Sequence, residues 1–406
     1  MTRKLSRNGN RGSRARTAAL AWGLAMVPAM IATPPAAAQT FKLLYAFTGG
    51  EDGGGPWGTP LLTGNILYAT TFYGGSASAG EAGAVFEFLP ATLTGAPFYD
   101  FTGQPNGAAP MSGLITDGFG DFFGTTTKGG FLLNGTIYEI SDGAEIVINS
   151  FNGTDGKTPE GSIFMDAAGD LYGTTSQGGA NDAGTVWAFS AFGGFVPLYS
   201  FGATQTDGVN PASGVVLVLS PNTGVSSVYG TTTEGGSSNW GTIYSVNLMT
   251  KVEKILYDFR GGAAGGTPVG GMVYDGKGDL IGTASQGGSA DGTAGSGVVF
   301  GYSLTKMAYK VLHTFTGPDG SQPMAALTPD GKGNYYGTTY AGGAHGYGTV
   351  FELNSTGTLT TLYSFTNGTD GAYPYGGVTL DSSGNVYGAA TGGGQHGWGT
   401  LFEIIP

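Results

Sequence analysis

Two phrases near the C-terminal end hold much of what could do chemistry: GGAHGYGTVFEL from Gly342 and GGGQHGWGTLFEI from Gly392. Each sets one His, and two residues on one aromatic, ahead of the same Gly-Thr: His345 with Tyr347, and His396 with Trp398. An imidazole can ligate a metal or move a proton. A Tyr or Trp beside it can stack on a sugar ring or an aromatic ligand. Two His fall short of the three or four ligands that most metal sites use, and no third ligand follows at a fixed spacing. No metal and no cofactor is therefore expected. The chain has no cysteine, which excludes thiol chemistry and Cys-based metal sites. Neither Gly-x-Ser-x-Gly nor His-Glu-x-x-His occurs.

The phrase recurs because a larger unit recurs. LYATTFYGG from Leu67, FFGTTTKGG from Phe122, LYGTTSQGG from Leu171 and VYGTTTEGG from Val228 are followed by LIGTASQGG from Leu280, YYGTTYAGG from Tyr335 and VYGAATGGG from Val386, seven copies 49 to 57 residues apart. Each unit carries four short runs rich in aromatic, β-branched and Thr residues, separated by Gly, Asn and Asp. These are an LYSF type, a GLxxD type, LYGTT and GTVFEL. No segment beyond the first 40 residues has a long helical period. Four strands per roughly 50 residues is the pattern of a β-propeller blade. The expected fold is all-β, a seven-bladed β-propeller over residues 39–406. Its blades run from the channel outward as GLxxD, LYGTT, GTVFEL and LYSF. Phe41–Phe47 is then an orphan outer strand, and the last blade, Pro374 to Ile404, lacks one. Pairing them closes the ring and protects the strand edges. An open β-solenoid is the rival, but its rungs are shorter and it needs end caps.

That frame says which residues are turns. Asp/Asn-Gly-x-x-Pro precedes the inner strand in six repeats, and Ala264-Gly265 stands there in the fifth. A ring of acids could bind cations, but Asp and Gly are also what a tight turn requires, and losing the acid leaves the spacing unchanged. Asp-x-x-Gly, as in DGKGD at Asp275, reads as a hairpin rather than a calcium loop. The YGTT glycines are expected to let blades pack closely. The GG-x4-GT frame reads as the hairpin between the second and third strands. That hairpin shares a face with the link between blades, so the residue after each Pro opens beside the channel mouth. Among those seven residues Trp57 and Tyr375 are aromatic and Glu160 alone is charged. The candidate ligand-binding set is Trp57, Glu160, His345, Tyr347, Tyr375, His396 and Trp398. The competing reading is aromatic packing between hairpins with His as filler, the commoner fate of repeat-derived aromatics. A lone Glu160 lacks the paired carboxylate of glycoside cleavage, so no residue is assigned a catalytic role.

Residues 1–38 have another character. Six basic residues and no acid occupy the first 17 positions, then an apolar run AALAWGLAMVPAMIA, then PPAAAQT. This is the layout of a secretory signal peptide cut before Gln39, leaving no membrane span. Losing six of 16 basic residues leaves 10 against 28 acids, a net charge of −18. That disfavours nucleic acid and anionic lipid as partners. Export to the periplasm or the medium is expected.

LYGTTSQGGANDAGTVWAF and LYSFTNGTDGAYPYGGVTLDSSGNVYG resemble the GloVer tandem repeat of exported bacterial proteins, over about Phe41 to Ile404. The resemblance implies export and repetition and brings no catalytic residues. Many members end in an anchoring tail. This chain stops at FEIIP, so a free form is expected. The resulting expectation is a non-enzymatic binding or interaction module with a glycan or protein ligand. The alternatives are a periplasmic hydrolase or lyase at the channel mouth, and a purely structural envelope protein.

Overall fold

The computed structural model describes residues 39–76, 82–219, 226–289 and 295–405. The expected leader lies outside them. Seven antiparallel sheets form a seven-bladed β-propeller. Blade 3 is typical: Phe164–Met165 innermost, then Leu171–Thr175, Thr185–Ser190 and outermost Gly194–Ser200. Among the described residues there is no α-helix, and no helix is long and apolar enough to cross a membrane.

Closure follows the expected pattern. Thr40–Ala46 is the outer strand of blade 7, antiparallel to Thr400–Ile405, with Val386–Ala390 and Val378–Leu380 inside it. The core is seven separate clusters, one between each pair of neighbouring blades. At the closure Leu44, Phe47 and Leu401 of blade 7 pack on Leu67, Phe86 and Phe88 of blade 1. No blade owns a core, so each is stable only beside its neighbours.

The YGTT glycines do a different job from the one expected. Gly173 lies opposite Trp187 on the third strand, and a Cβ there would strike the indole. Gly230 and Gly388 likewise sit under Tyr244 and Phe402. The glycine was expected to let neighbouring blades pack closely; its contact is instead within the blade, where it makes room for a buried aromatic of the third strand. In all seven blades a one-residue register shift between the third and outer strands lies beside that aromatic, as at Val186/Trp187. Such a shift bends and twists the strand.

Blades are joined by a repeated backbone bond. The residue before the inner-strand Pro has positive φ, and its N–H donates to the preceding blade's hairpin, as Thr158 to the Asn134 carbonyl at 2.9 Å and Gly55 to the Trp398 carbonyl at 2.8 Å. The turn Asp residues act as staples. Asp370 accepts the Thr366 N–H at 2.8 Å and the Tyr363 hydroxyl at 3.0 Å. Asp207 does the same for Ala203 and Tyr199, each at 2.9 Å. The Asp-x-x-Gly carboxylates accept backbone N–H groups of their own hairpins, as Asp275 does from Lys277 at 2.7 Å. Both series are turn chemistry.

One carboxylate sits uneasily in this scheme. Glu253 is half-buried near Asp207, and its Oε1 has no hydrogen-bond partner among the described residues. Burial first, then the Asp207 charge, lifts its pKa from 4.5 to about 7. The folded chain thus holds a proton that the unfolded chain releases near pH 4.5. The stabilisation is complete below that pH and is lost as pH rises through about 7. Glu253→Gln should leave the melting temperature at pH 4.5 nearly unchanged. At pH 8 it should stabilise by about 1–2 kcal/mol after allowance for solvent screening. Thermal melts at the two pH values check this; equal effects at both would show that Glu253 does not titrate there.

Candidate functional site

All seven residues that follow the inner-strand Pro line one cavity of about 220 Å³ on the channel axis. Trp57 and Tyr375 form an aromatic wall, their rings 4.7 Å apart across the junction of blades 1 and 7. Met111 and Met324 flank that wall, Ala212 and Val269 are small and apolar, and Glu160 supplies the one carboxylate.

The aromatic wall is part of something larger. Trp398 touches Tyr73, Tyr73 touches Phe72, and Phe72 touches Trp57, with centroids 5.9, 4.7 and 5.7 Å apart. Beyond Tyr375 the contacts continue through Tyr340, Tyr373 and Tyr347 at 6.4, 5.1 and 5.6 Å. Eight rings make an unbroken belt. It starts at the hairpin of blade 7, dips into the channel mouth and returns to the hairpin of blade 6. None of the eight is buried; Tyr73 and Trp398 keep 46% and 41% of their surface in solvent. Core aromatics in the same blades, such as Phe86 and Phe402, are fully buried, so the belt is a surface feature. Lys128 stands over the outer side of the Phe72 ring at 5.8 Å.

Sequence reasoning found both ends of the belt and its centre but missed Phe72, Tyr73, Tyr340 and Tyr373. A signal was present. The residue after the GTT triplet is Ser or Thr in five blades, and its hydroxyl donates to the pre-proline carbonyl, as Thr127 to Ala109 at 2.8 Å and Ser285 to Thr267 at 2.9 Å. Blades 1 and 6 place Phe72 and Tyr340 in that slot. Giving up a repeated structural hydrogen bond for a half-exposed ring is a departure that blade packing does not require.

Trp398 has two roles. One side of its indole lies on Gly49 and Gly54, where a Cβ would strike the ring. Trp240, at the same frame position in blade 4, lies on Gly261 and Gly266 in the same way, and no ring contact involves it among the described residues. Packing between hairpins is therefore real at this position. Only Trp398 adds an aromatic neighbour.

His345 and His396 stand exposed at the tips of the blade 6 and blade 7 hairpins. Neither has a hydrogen-bond, ion-pair or ring partner among the described residues. They share the face of the belt without joining it. Among the described residues no three of His, Asp and Glu converge on a metal-sized site.

Glu160 is half-buried in the cavity wall. Ser176 Oγ lies 3.0 Å from its Oε1 and 2.9 Å from the Thr158 carbonyl, so one hydroxyl proton serves two acceptors. Burial pushes the Glu160 pKa up, and the Ser176 bond only partly offsets it. Burial, then the Glu160 charge, holds the Tyr375 phenol at about 12, so it stays protonated and can donate.

Residues 30–224 and 218–406 both match the family model described as the Gloeobacter/Verrucomicrobia repeat. No curated protein matches the chain. Solved structures of similar shape include an oligogalacturonate lyase from Vibrio parahaemolyticus, with a TM-score of 0.53 and 10% identity over 87% of this chain and 90% of that one. A GH74 xyloglucanase from Xanthomonas campestris has a TM-score of 0.56 and 12% identity over 86% of this chain and 52% of that one. A GH74 enzyme from Niastella koreensis has a TM-score of 0.54 and 15% identity over 86% and 52%. At such identities the likeness is one of fold alone.

Proposed function

This chain belongs to the Gloeobacter/Verrucomicrobia repeat family, and from that premise we propose that it is an exported, non-enzymatic binding module whose aromatic belt holds a glycan chain. The observation that carries the reading is the eight-ring belt, partly exposed along its length and confined to blades 6, 7 and 1 of an otherwise uniform ring. Sugar rings present C–H faces that stack on aromatic side chains, and a row of rings suits a row of sugars. The leader-like residues 1–38 and the acidic remainder support export.

The test is a polysaccharide panel read by calorimetry, with three Trp variants. Trp57→Ala and Trp398→Ala should each weaken binding about tenfold, the worth of a stacked ring. Trp240→Ala should cost stability, about 3 kcal/mol for a packed indole, and leave affinity unchanged. A panel with no binder, or a peptide ligand that ignores Trp57→Ala, would end the glycan reading.

A second reading has one observation behind it. Burial shifts the Glu160 pKa upward, the direction a general acid requires, in the cavity that the centre of the belt walls. A hydrolase or lyase would release product from a bound glycan and lose that activity in Glu160→Gln. Binding with no product would leave the module reading standing.

A further inference from the structure

The cavity at the channel mouth has a chemistry of its own. It holds one carboxylate, two aromatic rings and two thioethers, from Glu160, Trp57, Tyr375, Met111 and Met324. Three ion pairs occur among the described residues, and none involves Glu160. Its one hydrogen-bond donor among the described residues, the Ser176 hydroxyl, is shared with the Thr158 carbonyl; in four other blades the matching hydroxyl donates to that blade's own pre-proline carbonyl. An ionised carboxylate here is thus short of donors. A half-buried charge in that condition is costly unless a partner arrives.

The kind of partner follows from the walls. A metal ion needs several oxygen or nitrogen ligands, and one carboxylate is too few. Neutral sugars would gain from the rings and could donate a hydroxyl to the carboxylate, but would bring no counter-charge to it. An organic ammonium group satisfies both: it pairs with the carboxylate, its N–H or polarised C–H groups lie against the negative faces of Trp and Tyr, and its alkyl part meets Met. We propose that this cavity is a binding site for an organic ammonium group, with Glu160 as its counter-ion and Trp57 and Tyr375 as its aromatic wall. The inference goes beyond the glycan reading and stands without it, because a small ammonium ion needs only the two belt rings that wall the cavity, Trp57 and Tyr375, and not the rest of the row.

The experiment titrates the full folded chain with butylammonium chloride, tetramethylammonium chloride, 1-butanol and sodium chloride at constant ionic strength. The readout is the methyl NMR signals of Met111 and Met324, which report from inside the cavity. Butylammonium should shift both signals saturably, and the neutral isostere butanol should bind about tenfold or more weakly, since it brings no counter-charge to the carboxylate. Glu160→Gln keeps the shape and removes the charge. It should abolish the preference for butylammonium over butanol without lowering the melting temperature. Saturable tetramethylammonium binding would assign recognition to the rings as well as to N–H donation, and its absence with butylammonium bound would restrict the site to ammonium groups bearing N–H. Equal responses to butylammonium and butanol, a preference that survives Glu160→Gln, or shifts no larger than those from sodium chloride would each overturn the proposal. The comparison of ligands on the unmodified chain stands even if Glu160→Gln fails to fold. Failure of the glycan panel with ammonium binding intact would reject the belt reading alone.

Discussion

A chain lacking residues 39–47 should not melt as one cooperative unit. The deletion removes the outer strand of blade 7 and leaves Thr400–Ile405 with an unpaired edge. It also takes Leu44 and Phe47 from the core between blades 7 and 1, and Phe41 from its stack on Tyr363, where centroids are 4.0 Å apart. The ion pair of Lys42 with Glu403 goes with them. Burial of these apolar side chains contributes roughly 1.5–3 kcal/mol each. Their sum approaches the roughly 5–15 kcal/mol that a whole domain retains. Every blade depends on its neighbours, so the ring has nowhere to confine the damage. The expected result is a broad transition at low temperature, or aggregation through the bared edge. Calorimetry and light scattering measure both. A truncated chain that melts like the parent would mean that closure contributes little.

How this architecture could be read beforehand is itself informative. The count of blades, the order of strands and the 1 + 3 closure were all legible, because repetition displays each turn and strand several times. Ala264 at a position that is elsewhere Asp or Asn showed that the acid belonged to a turn, and Asp207 and Asp370 bear this out as backbone staples. The role of the YGTT glycines was not legible. Their partners are cross-strand aromatics some 14 residues away, as Gly173 and Trp187, and the one-residue shift in the outer pairing that seats those aromatics leaves no mark in composition or spacing.

The site divides along the same line. Trp57, Glu160 and Tyr375 could be placed at one mouth because a Pro fixes the residue before each of them, and the cavity gathers all three. The links between the centre of the belt and its ends were hidden because Phe72 and Tyr340 occupy a slot that reads as strand. Only the hydrogen bond made by Ser or Thr in the other blades exposes the substitution as meaningful. The histidines stand apart from that row. His345 and His396 attract attention by residue type and by recurrence, yet both stand at hairpin tips outside the row of rings. Recurrence marks the frame. Departure from the frame marks the surface that differs from blade to blade.

Gly399→Ala should be among the most damaging single-methyl changes in the chain, and Gly64→Ala should be mild. Both glycines have positive φ, +95° at Gly399 and +58° at Gly64. Left-handed backbone at an ordinary residue costs about 1–2 kcal/mol. At Gly64 nothing lies within 4 Å of the added carbon, so that is the whole expected cost. At Gly399 the methyl would strike the Ala390 carbonyl and come within 2.7 Å of Pro56 Cδ, on the neighbouring blade across the closure. The same Gly-on-Pro contact recurs at Gly83 with Pro110, Gly135 with Pro159 and Gly348 with Pro374, at 2.8, 2.7 and 2.6 Å. It is the place where one blade's hairpin seats the next blade's inner strand. Neither side can yield: the Pro ring is rigid, and the residue before it, Gly55, is tied to the Trp398 carbonyl. Overpacking of about 1–3 kcal/mol adds to the backbone strain, giving about 2–5 kcal/mol in all. Denaturant melts of the two variants separate the contributions, and their difference measures the contacts the methyl meets at Gly399, with the Ala390 carbonyl of its own blade and with Pro56 across the closure. If Gly399→Ala cost no more than Gly64→Ala, the blades would be able to slide apart by a few tenths of an ångström at the closure. The seam would then be the soft point of the ring.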